Sequence, residues 1–559
     1  MQIYDCEVFK YDWLLVFADL KQRTFTVIKN NVQALKKYYE THKYEIWAGF
    51  NTKNYDQYIV KALLTKHDPY KVSQFIIGGE QGFNYSDDFR SVNLYTYDIY
   101  NNLTHSLKFY EGSLGDSIEE SVIPFNIDRK LTDEELRVVE KYCRHDVEET
   151  IKVFFETLPD FEAQLGLVKL TRPQHLSKTQ TQMSSIILKA ENLDTTYDEF
   201  NIDLPDTLKL TKYRYVADWY MDTENHSYDK ALDTDVAGVL HSFAWGGVHG
   251  ARERCHYKGN ILILDVASLY PSLMIRYGLL SRAVRKPETY KELRDKRIEY
   301  KKHHNPLQLP LKLVLNKTYG AMKDKNNSLY DPRQANRVCV YGQLLILDLI
   351  EKLEAYCELL QSNTDGIFIK YTDDNLQTIN DIVAEWQSRT GLSLEKTDAG
   401  EIWQKDVNNY ILKLKDNTLK SKGAYVKKLS SLDYADMPII NIAITEALVS
   451  NTPVEKTINE CNKLIDFQLV CKITGKFDAI FYGDTELNEK CVRVFAGDIT
   501  LPNITKRHTD TQVLHKISNT PEHVFIDNTD IHEKPVPNNL DRQFYIDLAN
   551  KRLKEFYEK

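Results

Sequence analysis

Hydrophobic positions recur along this chain at two periods, and each block predicts its element. Residues 1–17, MQIYDCEVFKYDWLLVF, are rich in Tyr, Val, Phe and Ile and predict two short strands around a turn. KYEIWAGF, residues 43–50, predicts a third strand, and the NTKNYDQYIVKALL after it carries helical spacing. Residues 131–158 predict a long amphipathic helix, with Thr132 at the N-cap and acids in the first turn. Strands followed by helices predict an α/β unit over residues 1–160.

Further along, residues 196–240 carry proline and aspartate punctuation and read as connector. ILILDVASLY, residues 261–270, is an apolar run bounded by Gly259 and Pro271, a buried strand running into a turn. Residues 288–302 and 307–325 predict two helices broken near Asn305-Pro306, and residues 344–360 a third. SNTDGIFIKY, residues 362–371, reads as a hairpin around a two-residue Asp-Gly turn. Residues 400–559 mix short strands with a final helix near residues 541–559.

At roughly 100–200 residues per domain, 559 residues predict three to five units. A composition of 42% hydrophobic and 27% charged residues excludes a disordered or fibrous chain. No apolar run approaches the roughly 20 residues that span a bilayer. The N-terminus lacks a basic flank, apolar block and small-residue cleavage site, so the expectation is a cytoplasmic protein with no membrane partner. A net charge of −9 excludes a simple polycation that coats nucleic acid. It leaves room for a nucleic-acid enzyme, in which clustered carboxylates lower the total while local basic grooves hold phosphate. None of the eight cysteines sits in a C-x-x-C pair, which argues against a zinc ribbon or an iron–sulfur cluster. They read as reduced packing thiols.

Asp5 and Glu7 are two apart on a predicted strand and so share a face. Asp56 ends the run N-T-K-N-Y-D, and Tyr142 and Asp146 are four apart on a predicted helix. Taken singly, each acid is more often a solvated surface residue. Together, four acids from three elements suit two divalent cations about 3.5–4 Å apart, an arrangement for phosphodiester hydrolysis in which Tyr142 orients the attacking water. D-x-E, then N-x-x-x-Y-D, then Y-x-x-x-D resemble the three motifs of the DEDD-type proofreading exonucleases, in their tyrosine-containing branch. The resemblance implies an RNase H-like fold, 3′→5′ removal of nucleotides, and contact of Asn51 with the single strand. Lys108 is a weaker candidate for the same site, a surface lysine being at least as good a reading.

A second set follows. Asp265 lies in D-V-A-S-L-Y-P-S and Asp365 in S-N-T-D-G, with K-L-V-L-N-K-T-Y-G (312–320) between them. On a helix Lys312, Asn316 and Tyr319 fall on one face. A lone strand-end Asp is more often a cap or turn residue, and such a stripe an ordinary helix face. In this order the three resemble motifs A, B and C of the family B DNA polymerases, in their compact bacteriophage form. The implied fold class is α/β and α+β multidomain. An RNase H-like exonuclease domain (1–160) is followed by a connector (161–258) and a right-hand polymerase. Its palm would be residues 259–281 and 326–430, its fingers 282–325, and its thumb and C-terminal region 431–559.

The resemblance assigns roles by position. Asp265 and Asp365 would bind metal, with Val266 adding its carbonyl, and the cofactor would be Mg²⁺, two per site, with Mn²⁺ able to substitute. Tyr270 would be a steric gate against a ribose 2′-hydroxyl. Lys312 and Asn316 would close on the triphosphate, Arg297 would hold the γ-phosphate, and Tyr319 would pack on the incoming base. Gly246 and Gly247 of W-G-G resemble the linker that approaches template phosphates. Lys422 and Tyr425 of K-x-K-G-A-Y resemble the motif that grips the primer end. Residues 282–302 hold nine Lys/Arg against four Asp/Glu, which fits a phosphate-contacting fingers helix and equally a solvated one.

Two features depart from the pattern. Asn363 replaces the first acid of D-T-D, removing one negative charge from the site. Motifs A and B lie only 47 residues apart, too close for the insertion of the protein-primed phage enzymes. A nucleic-acid primer and weak unaided strand displacement are therefore expected. The implied partners are primer-template DNA and dNTPs, with a phage helicase, clamp or single-strand-binding protein compensating, and the chain acting as a monomer. Two alternatives stand beside this reading. One is a repair exonuclease with a degenerate polymerase half, suggested by Asn363. The other is a single-strand-binding replisome scaffold, whose 35 tyrosines would stack bases.

Overall fold

The computed structural model describes residues 1–194, 198–473 and 475–557. The chain divides into two compact units, each assembled from separate stretches. The first comprises Met1–Lys178, Leu429–Ile440 and Glu455–Asp547, and the second Thr179–Lys428, Asn441–Val454 and Leu548–Lys559.

Five strands form the main sheet of the first unit: β1 (Gln2–Val8), β2 (Trp13–Asp19), β3 (Thr24–Lys29), β4 (Ile46–Gly49) and β5 (Tyr95–Asp98), in the order β3-β2-β1-β4-β5. β1, β2 and β3 pair antiparallel, while β4 runs parallel to β1 and β5 parallel to β4. Both faces of the sheet are buried. Ile3, Leu14 and Val16 join Val139, Cys143 and Val147 of helix Asp133–Glu156, while Tyr4, Leu15 and Phe17 join Ile59, Val60 and Leu63 of helix Asp56–Leu64. Because side chains alternate along a strand, Asp5 and Glu7 share the face of Ile3, toward the Asp133–Glu156 helix. That helix starts where its sequence says it should. The Thr132 hydroxyl accepts from Glu135 N at 3.2 Å, and the Glu135 carboxylate accepts from Thr132 N at 2.8 Å.

The C-terminal stretches of this unit build two small sheets. One contains Leu469–Lys472, Cys491–Ala496 and Val524–Ile526; the other contains Phe477–Tyr482, Thr485–Glu486, Ile504–His508 and Leu514–Lys516. Arg493, 0% exposed, ties the first of these sheets to helix Leu107–Leu114. Its guanidinium donates to the carbonyls of Gly112 (3.1 Å), Asp116 (2.6 Å), Asp527 (3.2 Å) and Thr529 (2.7 Å). A cation among the last carbonyls of a helix is electrostatically favoured, which offsets part of the cost of burying it.

The second unit holds a nine-stranded antiparallel sheet. Strand Cys255–Val266 is interior, flanked by Gly366–Lys370 and Leu394–Asp406. Helix Pro332–Leu353 supplies much of its core, with Leu344, Leu345 and Leu349 all 0% exposed. Helices Glu288–Lys302 and Gln308–Lys323 pack on each other.

Three sequence expectations need correction. The apolar run 344–360 is not one helix: it ends helix Pro332–Leu353 and then becomes strand Glu358–Ser362. Both halves are buried, and a buried strand and a buried helix turn are equally apolar. The stretch read as connector contains helix Arg214–Met221 and the hairpin Ala231–Val236/Val239–Ala244; its residues 196 and 197 lie outside the described residues. The hairpin at residues 358–370 turns through three residues, 363–365, with Gly366 already paired in its strand. The final helix is Arg542–Lys554, and residues 558–559 of the region read as helix lie outside the described residues. All eight cysteines are free. Among the described residues no helix is long and apolar enough to cross a membrane.

Candidate functional site

In the first unit Asp5 and Glu7 come from β1, Asp56 from the first position of helix Asp56–Leu64, and Asp146 from helix Asp133–Glu156. Burial and then the neighbouring Asp56 and Asp146 carboxylates push Asp5 well above the usual carboxylate range. Burial, then Asp5, Asp146 and Asp56, do the same to Glu7. Burial raises Asp56 to about 7, against a donated hydrogen bond from the Cys6 thiol at 2.9 Å. Burial raises Asp146 to about 6, partly opposed by Lys108. The structure therefore brings these acids within electrostatic reach of one another.

Lys108 is the cation of this cluster. It is buried and bonded to Asp146, and it donates to Glu111 at 3.0 Å. Its amine stands 4.7 Å from the centroid of the Tyr142 ring. Burial alone would lower its pKa, but Asp146 and Glu111 raise it overall, so it stays charged. Tyr142 is pushed up by burial and then by Asp146, Glu7 and Asp5, so its phenol stays protonated and can donate. Asn51 has a left-handed backbone, φ 62°, held because its N–H donates to Asp98 at 2.9 Å while Lys53 N donates to the other Asp98 oxygen at 3.1 Å.

Asp98, Glu111 and the thiols Cys6 and Cys143 are the members that sequence reasoning missed. Cys143 lies three residues before Asp146, on the core-facing side of a helix already singled out, and that spacing was the available signal. Asp98 ends a strand with no motif around it and could not have been found.

The ligand atoms of Asp5, Glu7 and Cys143 all lie within 4.8 Å of one another. Asp5 and Glu7 have no basic partner among the described residues; Lys108 is spent on Asp146 and Glu111. A buried excess of carboxylate oxygens fits a hard divalent cation, which would remove the repulsion recorded in these raised values.

In the second unit Asp265 sits one residue from the end of strand Cys255–Val266, register-paired to Gly366. The backbone N–H of Val266 donates to the Asp365 carbonyl at 2.7 Å, so the strand end and the turn are zipped together. Asn363 caps that turn: its side-chain oxygen accepts from Gly366 N at 2.9 Å and Asp365 N at 3.3 Å. A Cβ on Gly366 would collide with the Asp265 carboxylate and stand 2.8 Å from the Leu264 carbonyl oxygen. Burial, and then Asp365, raise Asp265 to about 6, with Lys420 opposing. Oxygen donors with a nearby like charge again fit a divalent cation.

Around this pair, the Tyr270 and Tyr319 rings lie 4.2 Å apart between centroids. The Arg297 side chain donates to the Ser268 hydroxyl at 3.4 Å, which brings helix Glu288–Lys302 to the residue two before Tyr270. Lys312 and Asn316 are exposed on one face of helix Gln308–Lys323. Gly246 joins Trp245 to strand Gly247–Ala251; Gly247 has φ +147°, and a Cβ there would approach the Thr364 hydroxyl at 3.3 Å. Lys422 is exposed at the end of strand Leu419–Lys422. The Tyr425 ring has Lys405 at 4.6 Å and Arg552 at 5.2 Å over it.

The chain is similar in sequence to DNA polymerases. DNA polymerase 1 of Aeropyrum pernix is 25% identical over 215 residues, covering 31% of this chain and 22% of that protein. DNA polymerase 1 of Saccharolobus solfataricus is 26% identical over 283 residues, covering 42% of this chain and 31% of that protein. The chain thus spans less than a third of the length of these curated relatives. The solved structure of the family B DNA polymerase from Pyrobaculum calidifontis aligns with 100% of this chain and 78% of its own, at 12% identity and a TM-score of 0.47. No family model matches the chain.

Proposed function

We propose that this protein is a template-directed DNA polymerase of family B, of the compact bacteriophage type, with a 3′→5′ proofreading exonuclease in the same chain. The observation that carries this reading is the pair of acidic centres, each built within its own unit: Asp5, Glu7, Asp56 and Asp146 in one, Asp265 and Asp365 in the other. The sheet order β3-β2-β1-β4-β5, with Asp5 and Glu7 on its central strand, supports an RNase H-like exonuclease. The relatives named DNA polymerase support the synthetic half.

Bound Mg²⁺, or Mn²⁺ in its place, would supply a polarised nucleophile and neutralise charge developing on the phosphate oxygens. In the exonuclease, Asp5, Glu7, Asp56 and Asp146 would hold it, and the protonated Tyr142 hydroxyl orients the attacking water. Lys108 fixes the Asp146 carboxylate, and Asn51 contacts the single strand. In the polymerase, Asp265, Asp365 and the Val266 carbonyl would hold it. Only two side-chain acids are needed there, because the dNTP phosphates supply further oxygens. The primer 3′-hydroxyl attacks the α-phosphorus and pyrophosphate leaves.

Tyr270, backed by Tyr319, cannot yield to a ribose 2′-hydroxyl, while Tyr319 itself packs on the incoming base. Lys312 and Arg297 neutralise the triphosphate, and Asn316 offers it an amide hydrogen bond, as their helices close on a fitted pair. Gly246 and Gly247 admit template phosphates close to the backbone, and Lys422 and Tyr425 grip the primer end. A primed template incubated with Mg²⁺, with and without dNTPs, tests both halves in one tube. Extension with dNTPs and 3′ trimming without them are expected; a divalent-dependent reaction of neither kind contradicts the reading.

A further inference from the structure

A cavity of about 890 Å³ opens onto Asp5 and Asp146, and all its lining belongs to the first unit. Its volume lies within the range of ligand pockets. The N-terminal part of the lining is aromatic: Phe50 and Tyr100 lie 5.3 Å apart between ring centroids, and His105 is stacked on Phe109 at 4.0 Å. The remaining wall comes from the C-terminal stretches of the unit, and it brings two lysines.

Lys472 ends strand Leu469–Lys472 and Lys506 lies within strand Ile504–His508. Lys472 is half-buried, and among the described residues its amine has no hydrogen bond or ion pair. Burial holds it below the ordinary lysine value. The Lys506 amine lies 4.0 Å from the centroid of the Phe477 ring, with no carboxylate bonded to it among the described residues. Asp436 is the one acid the C-terminal wall adds to the lining.

Glu120 and Glu111 oppose the effect of burial on Lys472 only in part, and an anion that enters the cavity offsets the remainder. The carboxylates of the lining repel such an anion, so the two lysines are the lining groups that can hold it. A cationic wall facing stacking rings is an arrangement that holds a single strand.

We propose that Lys472 and Lys506 bind backbone phosphates of the single-stranded DNA 3′ end while its bases stack on the aromatic wall. The C-terminal stretch would then supply substrate-binding groups to the exonuclease cavity. This rests on the exonuclease reading above, and it names residues outside every motif that led to that reading.

The test uses the full chain in EDTA and a short single strand carrying 2-aminopurine as its 3′-terminal base. Fluorescence titrations over a salt series compare the wild type with Lys472→Met, Lys506→Met, the double variant and Lys472→Arg. Each Met variant is expected to bind about fivefold more weakly at low salt. The slope of log affinity against log salt should flatten by about 0.7 per lysine lost. Lys472→Arg keeps the charge and should restore both affinity and slope, which a packing defect would not allow. Unchanged slopes in both Met variants overturn the assignment, as does weaker binding with an unchanged slope. If the slopes are unchanged while 3′ trimming still depends on Asp5, only the lysine assignment fails. Trimming that persists in Asp5→Ala removes the exonuclease reading and this inference with it.

Discussion

Asp56 and Asp146 carry the most readable consequence of clustering acids in a core. Their folded-state values of about 7 and about 6 lie above the ordinary 3.8 of an exposed aspartate. The folded chain thus binds more protons than the unfolded chain between those limits. Stability is greatest at the low end of that window and falls as pH rises, the penalty being complete above about pH 7. A divalent cation held by the carboxylates offsets the penalty. Thermal unfolding in EDTA should therefore show a falling midpoint from about pH 5 to about pH 8. Mg²⁺ or Mn²⁺ should raise the midpoint more at the higher pH. Equal gains at both values would remove these acids as ligands.

Gly366 gives a second test at this scale. Gly366→Ala forces a methyl against the Asp265 carboxylate and displaces it without removing it. A fall in primer extension of about a hundredfold is expected, with 3′ trimming unaltered. Wild-type extension would mean that Asp265 has no fixed position to lose.

Among the elements, helix Leu107–Leu114 does the most for its length. It carries Lys108 and Glu111, and its Gly112 carbonyl and that of Asp116 just beyond its end are held by Arg493 from a strand nearly four hundred positions away in sequence. Arg493→Ala removes the guanidinium from four carbonyls, of which, among the described residues, only Gly112 keeps another donor (Gly115 N), and should destabilise the first unit by about 3 kcal/mol or more. Chemical denaturation with a probe in the β1–β5 sheet measures this; a change below about 0.5 kcal/mol would mean water replaces the guanidinium at no cost.

Such a contact was not legible in the sequence, because nothing near Arg493 marks it as a cap for a distant helix. Elements whose signals are local were legible. Thr132 and the acids of the first turn announced the start of helix Asp133–Glu156, and the Tyr, Val, Phe and Ile of residues 1–17 announced β1 and β2. The run 344–360 misled because the polar positions Asp348, Glu351, Lys352 and Glu354 keep a helical spacing up to the end of helix Pro332–Leu353, and Leu359 and Leu360 of the strand that follows are equally apolar. Helix Arg214–Met221 and its following hairpin hid among polar residues, since strand Ala231–Val236 is largely exposed.

For the molecule as a whole, both units are discontinuous in sequence. Motif spacing located the acids but could not reveal that residues 455–547 cluster with the N-terminal residues, since that depends on pairings far apart along the chain. The short interval between Asp265 and Lys312 is filled by helices Leu269–Arg276 and Glu288–Lys302 and the start of Gln308–Lys323, so no further domain interrupts it. On this account extension across gaps should be efficient and unaided strand displacement weak. Nicked and gapped templates compare the two directly; displacement over kilobases without a partner would contradict the account.

Reciprocal substitution in the primed-template assay bears on the whole account at once. Asp265→Ala should abolish nucleotide incorporation and leave 3′ trimming of single-stranded DNA intact. Asp5→Ala with Glu7→Ala should abolish trimming, leave incorporation intact and raise misincorporation. Both activities surviving both changes, or both lost to either one, would contradict two independent acidic centres in one chain.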